Sequence, residues 1–231
     1  MIIGALGDIH GAFDAVQSIM ARHADVPVWV CVGDVASNDG AYFEPAAPLY
    51  WIKGNNEDFD VIAASLAGRP PARHLHYLPN GGPHAVGPWR VAALGGTFAP
   101  SWYNTPASAL PPSRGRKAAA TSLKLGKSRD DKRRHFVRDE VMACKALTDI
   151  DLLLTHEAPR PFYPAGRRMD AGKTVLNDVL SAMKPRLHLF GHHHEFTDSV
   201  RQQVRSIGLD LVTKSYLLIN AETFKTERVD T

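Results

Sequence analysis

The sequence predicts an α/β fold in which two packed sheets carry helices on their outer sides. Short apolar runs alternate with stretches of helical spacing along most of the 231 residues, and this alternation is typical of layered α/β domains. Several of the apolar runs end directly in Gly, Asp or His. A chain of this length suffices for one domain with a sizeable core. We therefore expect a single domain over residues 1–231, with an irregular basic insertion at about 97–135.

The first half of the chain alternates predicted strands with predicted helices. Short apolar runs mark the strands, and apolar residues at helical spacing, such as Val16, Ile19 and Met20, mark the helices. The second helix ends where a Gly-Arg-Pro-Pro cluster begins. The predicted strands of this half are residues 1–6, 28–32, 49–52, 74–78, 85–86 and 89–94, and the predicted helices are residues 13–24 and 58–66.

In the second half the periodicity fails from residue 97 to about 131, where prolines precede a basic cluster. An irregular stretch of this length in a compact domain is usually functional or mobile. The alternation then resumes, with Val137, Val141 and Cys144 near one helical face. Residues 200–214 are expected to be irregular. The predicted helices of this half are residues 136–147 and 173–183, and the predicted strands are residues 151–154, 187–190, 215–220 and 223–229.

The composition is that of an ordinary water-soluble globular protein, with 44% hydrophobic and 22% charged residues. No apolar run approaches the roughly 18–20 residues needed to cross a bilayer. The N-terminus lacks the basic start and cleavage pattern of a signal peptide. Cys31 and Cys144 lie in apolar surroundings, so we expect packed thiols instead of a disulfide. These observations predict a cytoplasmic location.

The positive charge is concentrated in one segment. Residues 113–135 contain nine basic residues against Asp130 and Asp131, which gives this stretch a net charge of +7. The whole chain carries only +3, so the remainder is slightly acidic. The positive charge therefore belongs to the irregular insertion and not to the protein as a whole.

Five short polar segments follow predicted strands and carry residues that can bind metal ions. They are Asp8-Ile9-His10, Gly33-Asp34, Gly54-Asn55-Asn56-Glu57, Thr155-His156-Glu157 and Gly191-His192-His193-His194. Any one of these residues alone is more often a helix cap, a turn residue or a packed histidine than a ligand. Ligands at strand ends converge on one edge of a sheet, however, and five ordered segments together predict a dinuclear metal enzyme.

In this order the motifs resemble those of the calcineurin-like metallophosphoesterase superfamily over residues 7–194. The resemblance implies a four-layer α/β/β/α sandwich of two packed mixed sheets, with the metal site at the strand ends. It also implies two metal ions. Asp8, His10 and His194 would bind one ion, Asn55, His156 and His192 would bind the other, and Asp34 would bridge both.

The ligand types agree with this expectation on chemical grounds. Imidazole with carboxylate suits transition metals, Mn²⁺ first and otherwise Fe, Zn or Ni. The amide of Asn55 limits the negative charge of the site and leaves room for an anionic phosphate. Two ions about 3.5–4 Å apart can share a water, lower its pKa and clamp the attacking and leaving oxygens. The predicted reaction is hydrolysis of a phosphate ester by a metal-bridging hydroxide, with Asp34 in a catalytic role.

Asn56 departs from the pattern of the superfamily, which commonly has His at this position to stabilise or protonate the leaving oxygen. An amide can donate a hydrogen bond but cannot deliver a proton near neutral pH. Relatives without that His resemble phosphodiesterases more than broad phosphomonoesterases. Metal-bound water, His193, His84 or His135 could replace the missing acid. Asn56 and His193 are thus the further candidate catalytic residues.

The basic insertion suggests a polyanionic substrate, most simply nucleic acid. Lys and Arg contacts to phosphates would add salt-sensitive affinity, and Trp102 could stack on bases of a single strand. The candidate substrate-binding residues are Arg129, Arg133, Arg134, His135, Arg168 and Trp102. The alternative is that the charges form a solvated face and that Trp102 only anchors the loop.

Three functions follow from these observations. The first is a metal-dependent phosphodiesterase, including a nuclease on single-stranded or branched nucleic acid. The second is a phosphomonoesterase or nucleotide pyrophosphohydrolase that acts on small molecules, with the basic segment gripping several phosphates. The third is a scaffold that kept the fold and lost turnover, although all seven matched ligand positions hold competent residues. No membrane partner is expected.

Overall fold

Two six-stranded sheets form the centre of the molecule in the computed structural model, which describes residues 1–112 and 130–231. The strands are β1 (Ile2–Leu6), β2 (Trp29–Cys31), β3 (Leu49–Trp51), β4 (Leu75–Tyr77), β5 (Gly81–Val86), β6 (Trp89–Leu94), β7 (Thr97–Phe98), β8 (His135–Phe136), β9 (Leu152–Thr155), β10 (Leu187–Phe190), β11 (Thr197–Arg201), β12 (Val204–Gly208), β13 (Ser215–Asn220) and β14 (Thr226–Asp230). The helices are α1 (Phe13–Arg22), α2 (Phe59–Leu66), α3 (Arg138–Lys145) and α4 (Thr174–Met183), with 3₁₀ turns at Ala107–Ala109 and Lys132–Arg134.

Both large sheets are mixed. The first has the strand order β14-β13-β1-β2-β3-β4, and the second has the order β11-β12-β10-β9-β6-β5. At their centres β1, β2 and β3 run parallel, as do β6, β9 and β10. The strands β7 and β8 form a separate parallel pair. The parallel strands bring their carboxyl ends to one edge of the molecule, where the polar segments lie.

The main core lies between the two sheets, where side chains such as Ile3 and Val30 meet Val91, Leu154 and Leu189. These residues are fully buried, and alternate residues of each strand supply this face and the opposite one.

The outer faces of the sheets are covered by the helices. Helices α1 and α2 pack on the first sheet around Trp29 and Trp51, and α3 and α4 pack on the second around Leu94 and Leu153. Gly4 in β1 lies directly beneath the indole of Trp29, where no side chain would fit. The result is the expected four-layer α/β/β/α sandwich with two packed mixed sheets.

Residues 200–214 were predicted to be irregular, which is confirmed for residues 209–214 and wrong for residues 200–208. Residues 197–208 form the hairpin β11–β12 at the edge of the second sheet. The turn residues Gln202 and Gln203 have φ values of 51° and 66°. Such turns usually carry Asn-Gly or Asp-Gly, so the sequence lacks the usual turn signal. Only one face of β11 is covered, and its alternation is correspondingly weak.

Smaller corrections concern the insertion and its neighbours. The helix predicted from residue 136 begins at Arg138, because Phe136 pairs with Phe98 in the β7–β8 ladder. The last strand begins at Thr226 and not at residue 223. The predicted thiols are confirmed, since Cys31 and Cys144 are both buried and free. Among the described residues, none of the helices has the length and apolar character that crossing a bilayer requires.

His188 in β10 leads to a prediction about stability and pH. Its ring is fully buried between Thr155 Oγ1, at 2.8 Å, and Ser206 Oγ, at 3.0 Å. Burial lowers the pKa of His188 to about 3. Below about pH 6.5 the His188 imidazole binds a proton in the unfolded chain but not in the folded chain. The contribution of the neutral imidazole to the free energy of unfolding is therefore fully present above that pH, and it is lost as the pH drops toward 3.

We expect the free energy of unfolding to fall by about 1.5 kcal/mol more in the wild type than in His188→Asn between pH 6.5 and 5. Urea unfolding of both proteins at several pH values measures this difference. Parallel stability curves for the two proteins would contradict the prediction.

Candidate metal centre

The seven predicted metal ligands lie in loops at the carboxyl ends of five parallel strands. Asp8 and His10 follow β1, Asp34 follows β2, Asn55 follows β3, His156 follows β9, and His192 and His194 follow β10. Three of these strands belong to the first sheet and two to the second. Because the sheets pack face to face, the loops from both meet at the same edge. The structure thus brings all seven residues into one cluster.

The first part of the cluster consists of Asp8, His10 and His194. His194 Nε2 lies 3.0 Å from Asp8 Oδ2 and 3.1 Å from His10 Nε2. His10 Nε2 lies 3.8 Å from the same carboxylate oxygen. Candidate donor atoms of these three residues all lie within 4.8 Å of one another, an arrangement that could hold a metal ion.

The second part of the cluster is built around His156, which is fully buried. Its Nε2 lies 3.2 Å from Asn55 Oδ1 and 3.6 Å from Asp34 Oδ2. The ring of His192 lies beside it, with the centroids 4.9 Å apart. Asp34 Oδ2 is also 3.5 Å from His10 Nε2. Asp34 therefore lies between the two parts, as expected of a bridging ligand.

The donor set fits divalent cations. His156 Nδ1 lies 2.9 Å from the backbone oxygen of Val32, so Nδ1 carries the hydrogen and Nε2 presents its lone pair. That lone pair faces oxygens of Asn55 and Asp34, which are also acceptors. A cation or an added proton between these atoms would relieve the repulsion between them. Mixed imidazole, carboxylate and amide donors suit transition-metal ions.

The pKa values of His156, Asp8 and His192 reflect the same close approach of buried polar groups. Burial lowers the pKa of His156, but the carboxylates of Asp34 and Asp8 outweigh it, and the net direction is upward. Burial raises the pKa of Asp8, and the hydrogen bond from His194 and the charge of His156 reverse this to a net lowering. Burial holds the pKa of His192 at about 2, which keeps its imidazole neutral, the form that binds metals.

Two features of the backbone allow the ligands to approach one another. A Cβ at Gly54 would collide with the carboxylate of Asp34, and one at Gly191 would collide with that of Asp8. Four of the ligands have left-handed backbone, with φ of 47° at His10, 52° at Asp34, 69° at His192 and 54° at His194. Asp and His are among the residues enriched in that region, where side chains generally are rare.

A sequence model of the calcineurin-like phosphoesterase superfamily domain matches residues 1–221. The chain belongs to this superfamily. Its members hydrolyse phosphoesters and use divalent metals. No curated protein matches the sequence.

Solved structures support the calcineurin-like fold. The chain resembles the protein TT1561 of Thermus thermophilus with a TM-score of 0.65 and 15% identity, over 99% of this chain and 98% of that one. GAP50, the anchor in the inner membrane complex of Plasmodium, gives a TM-score of 0.52 and 11% identity, over 100% of this chain and 88% of that one. An archaeal phosphodiesterase gives a TM-score of 0.50 and 10% identity over the full length of both chains. At these identities the similarity shows the fold alone.

Glu57 is a buried carboxylate beside the candidate metal centre for which the sequence predicted no role. It accepts hydrogen bonds from the backbone N–H groups of Val35, at 3.0 Å, and Ala36, at 3.2 Å, and from Tyr42 Oη at 2.9 Å. Burial and the charge of Asp34 raise the pKa of Glu57 to about 8. Glu57 thus ties the loop after β3 to the loop that carries Asp34.

Glu157 and Lys53 connect the site to the ends of the insertion. Glu157 Oε2 accepts a hydrogen bond of 2.6 Å from the backbone N–H of Phe98, and its Oε1 pairs with Lys173 Nζ at 3.3 Å. Lys53 Nζ donates to the backbone oxygens of Arg133, at 3.0 Å, and His135, at 2.9 Å. The local signals were the acids in two of the segments, Glu157 directly after His156 and Glu57 two residues after Asn55.

The two further candidate catalytic residues both lie beside the ligands. The backbone N–H of Asn56 donates to Asp34 Oδ1 at 2.6 Å, and its side-chain Nδ2 lies 3.4 Å from His10 Nδ1. His193 follows a tight turn in which its N–H bonds to Gly191 O at 2.8 Å. Its ring stacks on Phe162, with centroids 4.5 Å apart. Their catalytic roles stay predictions.

The predicted substrate-binding residues are spread over three segments. Arg133 is engaged by Asp131, at 2.7 Å, and Asp60, at 2.8 Å, so its charge is already balanced. His135 Nδ1 contacts Thr97 Oγ1 at 3.0 Å.

Arg134 lies near the end of the insertion, where its backbone oxygen packs against Gly96 at the start of the insertion. Trp102 lies in a turn after β7, half-buried, and Arg168 is exposed in the loop after β9. Arg129 lies outside the described residues. Of the other candidate acids, His84 contacts Pro79 O through Nε2 at 2.9 Å. The binding roles of all these residues stay predictions.

Proposed function

We propose that this chain is a metal-dependent phosphodiesterase. The observation that supports a diester substrate is Asn56, which borders both parts of the cluster through Asp34 and His10. A phosphate monoester carries about −1.5 to −2 charges at neutral pH, whereas a diester carries one. A protonated His at position 56 would balance the additional charge, and a neutral amide does not. The site therefore favours the singly charged substrate.

In this proposal Asp8, His10 and His194 would hold one divalent ion, Asn55, His156 and His192 would hold a second, and Asp34 would be shared between them. We propose Mn²⁺ as the metal, with Fe, Zn or Ni as alternatives. When bound, the two ions activate water and stabilise the charge that develops on the phosphoryl group. Glu57 and the Val32 backbone oxygen hold the ligand loops and the His156 tautomer in place.

The residues of the chain itself orient the substrate. In this proposal the Asn56 amide donates a hydrogen bond to a phosphoryl oxygen, and it holds no proton that it could transfer near neutral pH. Substrates whose leaving oxygen is only weakly basic should therefore react fastest. A nucleic-acid substrate, single-stranded or branched, extends the proposal through the charge of residues 113–135.

The experiment compares bis-p-nitrophenyl phosphate with p-nitrophenyl phosphate, using metal-stripped protein with and without added Mn²⁺. We expect turnover only with added metal, and a higher kcat/KM for the diester. Faster hydrolysis of the monoester would overturn the proposed preference. Metal that binds without turnover of either ester would point instead to a scaffold.

A substitution at Asn56 tests the reason for that preference. Asn56→His introduces a group that can carry a positive charge, which would favour the more negatively charged monoester. A general acid would speed both esters alike, because they share the p-nitrophenolate leaving group. Since the attraction between opposite charges about 4 Å apart near a protein surface is up to roughly 4 kcal/mol, we expect the ratio of monoester to diester kcat/KM to rise at least about tenfold. Asn56→Ala is the matched control, because it removes the amide without adding an imidazole. The same rise in both variants would show that the amide itself, and not the missing positive charge, sets the ratio.

A further inference from the structure

The loop that follows His156, residues 160–172, is closed at its base by its own contacts. Asp170 Oδ1 accepts hydrogen bonds from the backbone N–H groups of Phe162, at 2.8 Å, and Gly172, at 2.9 Å. The N–H of Ala171 donates to Phe162 O at 2.8 Å. Arg160 Nε pairs with Asp170 Oδ2 at 2.7 Å. The base therefore has a defined shape without help from a ligand.

The same loop is fixed against the segment that carries the ligands His192 and His194. Phe162 is buried, stacks on His193 and meets Phe190 edge-on with centroids 5.6 Å apart. The N–H of Ala165 donates to Glu195 Oε2 at 2.8 Å. Since Glu195 directly follows a predicted ligand, the tip of the loop, residues 163–169, lies at the rim of the candidate metal centre.

The side chains of this tip are unusual for an anchored loop. Tyr163 is 58% exposed and Met169 is 81% exposed, although Phe162 already supplies the packing that holds the loop. Arg167 and Arg168 are exposed as well, and neither forms an ion pair among the residues described by the structure. Exposed large apolar side chains grouped beside a polar site are a common mark of ligand binding.

We propose that this tip binds the base of a nucleoside phosphodiester, a statement that rests on the proposed function and names its substrate class. Tyr163 offers an aromatic face on which a base can stack, and the Met169 thioether makes favourable contacts with aromatic rings. Arg167 and Arg168 supply positive charge for a neighbouring phosphate. Arg160 is excluded from this role by its pairing with Asp170.

The test compares two diesters with the same leaving group and charge, thymidine 5′-(p-nitrophenyl phosphate) and methyl p-nitrophenyl phosphate. Stacking on one aromatic residue is worth about tenfold or more in affinity. We expect Tyr163→Ala to raise KM for the nucleoside ester about tenfold more than KM for the methyl ester, and Tyr163→Phe to restore it. The control Met142→Ala removes a similarly exposed side chain, 51% accessible, from α3, and should leave both KM values unchanged. An equal change in both KM values would overturn the proposal.

A binding measurement separates this proposal from the proposed reaction. Calorimetric titration of the metal-loaded protein with adenosine 5′-monophosphate and with ribose 5-phosphate needs no turnover. We expect the nucleotide to bind about tenfold more tightly, and Tyr163→Ala to abolish that difference. If this holds while no diester is hydrolysed, the base site stands and the proposed reaction fails. Equal affinity for the two ligands in the wild type would overturn the base site, whatever the protein hydrolyses.

Discussion

Asp34→Asn is expected to lower kcat/KM for bis-p-nitrophenyl phosphate by at least about 10³-fold, which corresponds to roughly 4 kcal/mol of lost transition-state stabilisation. The Asp34 carboxylate lies 3.5 Å from His10 Nε2 and 3.6 Å from His156 Nε2. It thus contacts both parts of the cluster. Asparagine keeps the size of the side chain and tolerates the left-handed backbone at this position, so the main change is the loss of charge.

Steady-state kinetics and the metal content of the purified variant together check this result. Asp14→Ala, which removes an exposed carboxylate from the first turn of α1, serves as the control and should behave as the wild type. We expect fewer bound ions per chain in Asp34→Asn, with thermal unfolding that remains cooperative. A variant with normal activity would remove Asp34 from the proposed mechanism.

Gly54→Ala should be nearly as damaging, although it alters no candidate ligand. A Cβ at Gly54 would collide with the Asp34 carboxylate and lie 2.5 Å from its backbone N. Asp34 or the Gly54 loop must therefore shift, and a displacement of about 1 Å in a catalytic group can cost roughly 10²-fold in rate. We expect a loss of that size in kcat/KM, together with weaker metal binding.

Gly68→Ala is the matched control for this substitution. Gly68 has a φ of 77°, and no atom lies within 4 Å of the position its Cβ would take. Alanine there should cost about 1 kcal/mol of stability through backbone strain and leave kcat/KM unchanged. If Gly54→Ala lost stability but retained full activity, the steric account of the ligand loops would be wrong.

Much of the candidate metal centre could be predicted because its signals are local. Each ligand loop directly follows an apolar run, as with Val30 and Cys31 before Asp34, and a strand end fixes where the next residues must lie. The hairpin β11–β12 escaped because Gln202 and Gln203 adopt a turn that other residues normally signal. The side chains of β11 are also largely accessible, so the hairpin shows neither the usual turn residues nor a clear alternation of apolar and polar residues.

The supporting contacts could not be predicted because they join distant parts of the chain. Lys53 binds a backbone oxygen 82 residues away, and Glu157 binds an N–H 59 residues away. Arg133 counted as a free positive charge in the sequence, yet one of its partners, Asp60, lies 73 residues away. No local pattern of residue types reports such pairings, since the fold as a whole creates them.

The left-handed backbone at His10, Asp34, His192 and His194 has a thermodynamic consequence. Each such residue costs roughly 1–2 kcal/mol relative to ordinary backbone, and a domain retains only about 5–15 kcal/mol of net stability. The chain thus gives up a substantial part of its resistance to unfolding in order to present these side chains. Ion binding to the folded form would recover that loss. Glycine at any of these four positions would relieve this strain, but only by removing a proposed ligand.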